Sequence, residues 1–186
     1  MQDHVIIDNF LPQDEWQGIY DAVLGMHPET NNSTLEWIYI DHKVSTSSKN
    51  FQFVHTFFGV KQGQMHSAYS HDSYLVEALV EKINPDSIER IKANLQTKVC
   101  KQEIDVDGFH TDQVPDDSGE KYNAVYYVND NNGFTAFKEG MKVKSKANRL
   151  LVFKNELEHT GTAQSDTNVR VVINFTFNKK GGCLGV

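Results

Sequence analysis

The chain has 186 residues, 39% hydrophobic and 23% charged, which is enough for one domain with a substantial core and an ordinary globular composition. Its formal charge of −7 argues against a duplex nucleic-acid binder that works by neutralising phosphates. No apolar run reaches the length of a membrane span, and Met1-Gln2-Asp3-His4 lacks the basic and apolar segments of a secretion signal, so a cytoplasmic protein with no membrane partner is expected.

Residues 5–7 are a short apolar run of strand character. Pro12 follows at a first helical position, with Asp14 and Glu15 in the first turn. Trp16, Ile19, Tyr20, Val23 and Leu24 recur at helical spacing, and Gly25 ends the helix. Residues 27–34 are polar and loop-like. Segments 36–44 and 51–58 alternate as strands, joined by the polar connection 45–50. A second helix begins after Asp72 or Ser73, shows Leu75, Leu79 and Ile83 on one face, and stops at Asn84-Pro85.

From residue 88 the character changes. Ile91, Ala93, Leu95, Thr97 and Val99 alternate with Lys92, Asn94, Gln96 and Lys98, giving a strand with one apolar and one polar face. Further strands are expected at 121–128, 134–138, 142–144, 149–153 and 169–177, and Asp130-Asn131-Asn132-Gly133 reads as a hairpin turn between two of them. Connections this short leave no room for crossover helices, so the sheet must be largely antiparallel. The expected class is mainly β with N-terminal helices packed on one outer face of a sandwich or barrel. No internal repeat or domain boundary is visible. The two cysteines, Cys100 and Cys183, have no metal-binding spacing and read as free thiols in a reducing compartment.

The chemistry gathers in the strand-rich half. His110 and Asp112, two residues apart, share a face if their segment is extended. His159 stands at the end of the 149–153 strand, and Arg170 opens the apolar run Val171-Val172-Ile173-Asn174-Phe175. An arginine at the head of a buried strand is costly unless an anion meets it. Two histidines and a carboxylate suit one face of an octahedral Fe(II), leaving three positions for a bidentate 2-oxo acid and dioxygen. A guanidinium pairs in a bidentate way with the far carboxylate. The other histidines, His4, His27, His42, His55, His66 and His71, read as surface or satisfied core residues.

These motifs resemble the Fe(II)/2-oxoglutarate-dependent dioxygenases, in particular the prolyl-hydroxylase-like branch. The resemblance covers roughly 88–177. It rests on Gly108-Phe109-His110-Thr111-Asp112, Ala124-Val125-Tyr126-Tyr127-Val128-Asn129, Asn132-Gly133-Phe134-Thr135-Ala136-Phe137, Asn148-Arg149-Leu150-Leu151-Val152-Phe153, His159-Thr160-Gly161 and Arg170. The detailed pattern, with Arg90-Ile91-Lys92-Ala93-Asn94-Leu95, looks like small oxygenases of marine bacteriophages, whose compartment would be the host cytoplasm.

The resemblance implies a double-stranded β-helix, a cupin-like jelly-roll, spanning 1–186 as one oxygenase domain with helical support at about 1–87 and a catalytic core at about 88–178. It implies His110, Asp112 and His159 as iron ligands, Arg170 as the salt-bridge partner of 2-oxoglutarate, and Tyr127 as a hydrogen-bond donor to the same carboxylate, with Tyr126 facing away to pack. Dioxygen is the second co-substrate and ascorbate the reductant. The product would be a hydroxylated C–H bond, a peptidyl proline by resemblance, with succinate and carbon dioxide released. A free amino acid, another peptide side chain and a modified base stand as the alternatives to it.

One departure stands out. Prolyl hydroxylases carry a further tyrosine on the strand before His-x-Asp, whereas none occurs here between Tyr74 and Tyr122. Asn94 and Gln96 are expected to face the co-substrate or substrate from that strand, while Lys98 divides evenly between pocket and solvent. Glu103, Asp105, Asp107, Asp112, Asp116, Asp117 and Glu120 crowd one stretch, and apart from Asp112 they read as a solvated loop rather than a lid. Two readings compete with the oxygenase: a jelly-roll binding module with a structural metal, and a cupin-type metalloenzyme that needs no 2-oxo acid. Neither requires a guanidinium at 170.

Overall fold

A computed structural model describes residues 3–25, 35–41, 51–60, 67–112 and 120–180. The expected loop at 27–34, the connection at 45–50, His27, His42, His66, Asp116, Asp117 and Cys183 lie outside these residues.

The first helix, α1, runs Gln13–Leu24 directly after Pro12 and carries Asp14 and Glu15 in its first turn. Gly25 caps it in the left-handed region at φ 76°, a conformation that suits a residue without Cβ. The second helical segment is a 3₁₀ turn, His71–Val76, that runs into the short α2, Glu77–Ile83. Ser70 accepts a bond from the Asp72 N–H at its start, and Asn84, at φ 49°, ends α2 before Pro85.

The strands are β1 (His4–Ile7), β2 (Ile38–Ile40), β3 (Gln52–Val60), β4 (Ser67–Tyr69), β5 (Ser87–Thr97), β6 (Lys121–Tyr127), β7 (Phe134–Phe137), β8 (Lys142–Lys144), β9 (Arg149–Lys154), β10 (His159–Gly161) and β11 (Val169–Asn178). They form two sheets. The larger has the order β1-β9-β6-β11-β5-β3-β2, with β4 on β3; the smaller is β10-β7-β8. Every ladder is antiparallel, as the short connections demand. The result is a jelly-roll, and the N-terminal half adds strands to both edges of its larger sheet.

Period-2 alternation divides the core in two. One face of the larger sheet presents Ala93, Tyr126, Val152, Ile173 and Phe175 to the helices, where Phe10, Ile19, Val23, Leu79 and Ile83 meet them. The other face presents Tyr127, Leu151, Phe153 and Val172 to Phe137 and Val143 of the smaller sheet. Each large side chain buried here contributes about 1.5–3 kcal/mol, so a one-residue slip in register would forfeit many such terms at once. Tyr126 thus packs away from Tyr127. His55 is a satisfied core histidine, with Nδ1 at 2.8 Å from the Glu36 carbonyl and Nε2 at 2.8 Å from Ser70 Oγ.

The hairpin expected at 130–133 is corrected. β6 belongs to the larger sheet and β7 to the smaller, so this segment crosses between sheets. The tight hairpin is instead β7–β8, where Gly140 takes φ 101°. Gly133 does not have positive φ; its lack of a side chain serves a different purpose, described below.

Asn148 ties the N-terminal segment to this core. At φ 58°, its Oδ1 accepts from the Leu11 N–H and from the Tyr126 hydroxyl, both at 2.9 Å, and its Nδ2 donates to the Leu11 carbonyl at 2.8 Å. Asn148→Ala removes three buried bonds and places a less tolerant residue in the left-handed region. A loss of about 3 kcal/mol or more is expected in denaturant unfolding.

Candidate active site

After β5 the chain passes through a 3₁₀ turn, Val106–Gly108, and His110 then pairs with His159 in an isolated antiparallel bridge. Their backbone groups bond reciprocally at 3.1 and 3.0 Å. This pairing brings together two histidines that are distant in sequence. Asp112, two residues beyond His110, completes a cluster whose ligand atoms all lie within 4.8 Å of one another. Each Nε2 stands 3.8 Å from a different carboxylate oxygen of Asp112.

The rings are held in one tautomer. Nδ1 of His110 lies 2.9 Å from the Gly108 carbonyl, and Nδ1 of His159 lies 3.0 Å from the Leu157 carbonyl. A carbonyl only accepts, so Nδ1 carries the proton in both neutral rings and both Nε2 lone pairs stay available to a metal. Burial acts to raise the pKa of Asp112, but the Arg90 guanidinium at 2.8 Å, together with the two histidines in their protonated form, outweighs it and holds the carboxyl below its ordinary value. With both rings neutral, as metal binding requires, the donor set is two imidazoles and a carboxylate, which fits a divalent first-row metal with open positions.

The cluster opens on a cavity of about 260 Å³. Strands β5 and β11 pair Gln96 with Arg170, Asn94 with Val172, Lys92 with Asn174 and Arg90 with Thr176. Alternation therefore turns Gln96, Asn94, Lys92 and Arg90 to the same wall, with Asn94 half-buried and Gln96 buried. Lys98, beyond the end of β5, is exposed and is not on that wall.

Arg170 is 3% exposed. Its Nε donates to Ser145 Oγ at 2.9 Å, its Nη1 donates to Gln96 Oε1 at 3.2 Å, and its guanidinium lies over the Tyr127 ring at 5.7 Å. Burial pushes its pKa below the usual range, and Tyr127 opposes this. Among the described residues no carboxylate lies within ion-pair distance of it. A buried cation left this way costs several kcal/mol unless an anion joins it, and its place on a cavity wall leaves it reachable by one.

Tyr127 stands behind that wall. Its hydroxyl donates to Thr135 Oγ1 at 2.7 Å, and Thr135 lines the cavity. Its pKa is raised by burial, against the influence of Arg170 and Thr135. Gly133 supplies room for the arginine: a Cβ there would fall 2.5 Å from Arg170 Cδ and 2.9 Å from its Nε. Gly133→Ala is expected to push the guanidinium out of place and weaken binding of a dicarboxylate at least about tenfold, with metal affinity little changed, by calorimetry.

Arg90, Lys92, Thr135 and Ser145 were not among the expected site residues. Lys92 shares the period-2 face of Asn94 and Gln96, and that alternation was the available signal. Ser145 sits outside any strand and has none. In the acidic stretch, Glu103 and Asp107 are exposed, with Glu103 paired to Lys101 at 2.8 Å, as a solvated loop requires. Cys100 is an exposed free thiol, and no helix among the described residues is long and apolar enough to cross a membrane.

No family model and no curated protein matches the sequence. Solved structures do resemble the fold. A prolyl-4-hydroxylase of Pseudomonas putida is 17% identical with a TM-score of 0.55, covering 97% of this chain and 95% of that one. An oxidoreductase of the 2OG-Fe(II) oxygenase family from Burkholderia pseudomallei is 11% identical with a TM-score of 0.61, covering 99% and 89%. The viral collagen prolyl hydroxylase of Paramecium Bursaria Chlorella virus-1, solved with 2OG, is 13% identical with a TM-score of 0.58, covering 96% and 97%. The chain therefore has the fold of the prolyl hydroxylases and related 2OG-Fe(II) oxygenases.

Proposed function

We propose that this chain is an Fe(II)- and 2-oxoglutarate-dependent dioxygenase that hydroxylates a substrate C–H bond, with succinate and carbon dioxide as co-products. The observation that carries the reading is one cavity whose walls hold a two-histidine, one-carboxylate cluster and a buried guanidinium with no acid beside it among the described residues. Iron, when bound, supplies the dioxygen chemistry and the decarboxylation of the 2-oxo acid.

The chain supplies position. His110, Asp112 and His159 would hold the metal. Arg170 holds the far carboxylate of 2-oxoglutarate. Ser145, Gln96 and the face of Tyr127 fix the guanidinium in orientation, so little freedom is lost when the anion arrives. Asp112 would give the metal a carboxylate ligand in place of a halide, which favours hydroxylation over halogenation.

A peptidyl proline is the first substrate to test. Several structures of similar fold are prolyl hydroxylases, one of them, from Trichoplax adhaerens, in complex with a peptide fragment. The reaction itself is tested without a substrate. Under Fe(II), ascorbate and 2-oxoglutarate, the wild-type chain is expected to release succinate slowly, and His110→Ala to release none above the metal-only background. Equal release from both proteins would sink the mechanism.

A further inference from the structure

We propose that Arg90 and Lys92 form a second anion subsite, at the mouth of the cavity, that holds a carboxylate of the molecule to be hydroxylated. The inference rests on the reading above, in which Arg170 takes the far carboxylate of 2-oxoglutarate.

The β5–β11 register separates the two subsites. Arg170 faces Gln96 at one end of the wall, and Arg90 faces Thr176 at the other. The two rows are offset by six residues along the strand, about 20 Å at roughly 3.3 Å per residue. The Arg170 end is closed, with that residue 3% exposed. The Arg90 end is open, with its side chain 38% exposed. Lys92 lies one alternation inward from Arg90 on the same face.

Arg90 alone has a simpler explanation, because it bonds Asp112 at 2.8 Å and orients that carboxylate. Lys92 has no such role. Among the described residues no acid lies within ion-pair distance of its amine. Burial, then the charge of Arg90, lowers its pKa to about 8, and Asp112 offsets this only in part. An ammonium in that setting lacks a neutralising partner.

Charge balance points the same way. A divalent metal and a dianionic 2-oxo acid cancel, leaving Arg90, Lys92 and Arg170 against Asp112 alone among the described charged residues of the wall. That surplus is two positive charges, which disfavours a cationic substrate and favours an acidic one. The cavity of about 260 Å³ is open at the Arg90 end, where a substrate enters. The carboxylate could come from a free amino acid or from an acidic residue of a peptide.

The test uses the full chain with Zn(II) and saturating 2-oxoglutarate, so that nothing turns over. Ligand-observed NMR compares a mixture of free amino acids with the same amino acids as amides. A second arm compares a proline peptide bearing glutamate beside the proline with its glutamine counterpart. The acid form in one arm is expected to bind at least tenfold more tightly than its neutral form, and the responding arm identifies the source. Lys92→Met should abolish the preference and Lys92→Arg should keep it. Equal binding of acid and neutral forms, no binding in either arm, or a preference that survives in Lys92→Met overturns the subsite. Failure of 2-oxoglutarate itself to bind the wild-type chain overturns the oxygenase reading instead.

Discussion

Arg170→Met is expected to weaken 2-oxoglutarate binding at least about 30-fold, about 2 kcal/mol or more, without lowering the melting temperature. The two halves of this result have one cause. In the free protein the guanidinium is buried beside Ser145, Gln96 and the Tyr127 ring, with no acid among the described residues to balance it. Replacing a buried, unbalanced charge with an apolar side chain of similar length removes a large desolvation penalty. It also leaves Ser145 Oγ and Gln96 Oε1 without this partner, which offsets part of the gain. Stability therefore holds or rises while affinity falls, as expected of a residue kept for binding. Calorimetric titration and a thermal melt on the same preparation check both halves. A variant that loses stability by several kcal/mol and binds 2-oxoglutarate normally would make Arg170 a structural residue.

His159→Ala is expected to lower affinity for Fe(II), or for Mn(II) as a stable substitute, more than about 100-fold. Changing a partner behind a metal ligand already costs about 10–100-fold, and loss of the ligand itself must exceed that. His159 is also the residue through which the smaller sheet reaches the cluster, because β10 pairs with β7 on one side and His159 bridges His110 on the other. The backbone bonds of that bridge survive the substitution, so the metal loss should come without unfolding. Leu157→Pro would be a poorer probe, since it alters the chain that supplies the carbonyl to Nδ1. Competition with a chromophoric chelator measures the effect, and unchanged affinity would remove His159 from the ligand set.

Much of this architecture was legible because local rules and tertiary demands agree. Pro12 and Gly25 bracket α1 in sequence and in the fold. The polar and apolar faces of β5 turned to the cavity and the helices as alternation requires. Short connections could only join antiparallel strands. What stayed hidden depended on the second sheet. β7, β8 and β10 have four, three and three residues, too few to show a period, so nothing in sequence told which polar face they would cover. Lys92 was therefore placed on the polar face of β5 with no role of its own. The 130–133 segment misled for a different reason: Asn-Gly suits a hairpin, but here the glycine makes room for Arg170.

The central claim is that the metal cluster and Arg170 are two ends of one ligand site. The direct measurement is titration of 2-oxoglutarate into the full chain with and without saturating Mn(II). Two-point attachment predicts that the metal tightens 2-oxoglutarate binding at least about tenfold, and by linkage that 2-oxoglutarate tightens metal binding by the same factor. Affinities that do not respond to one another would contradict it.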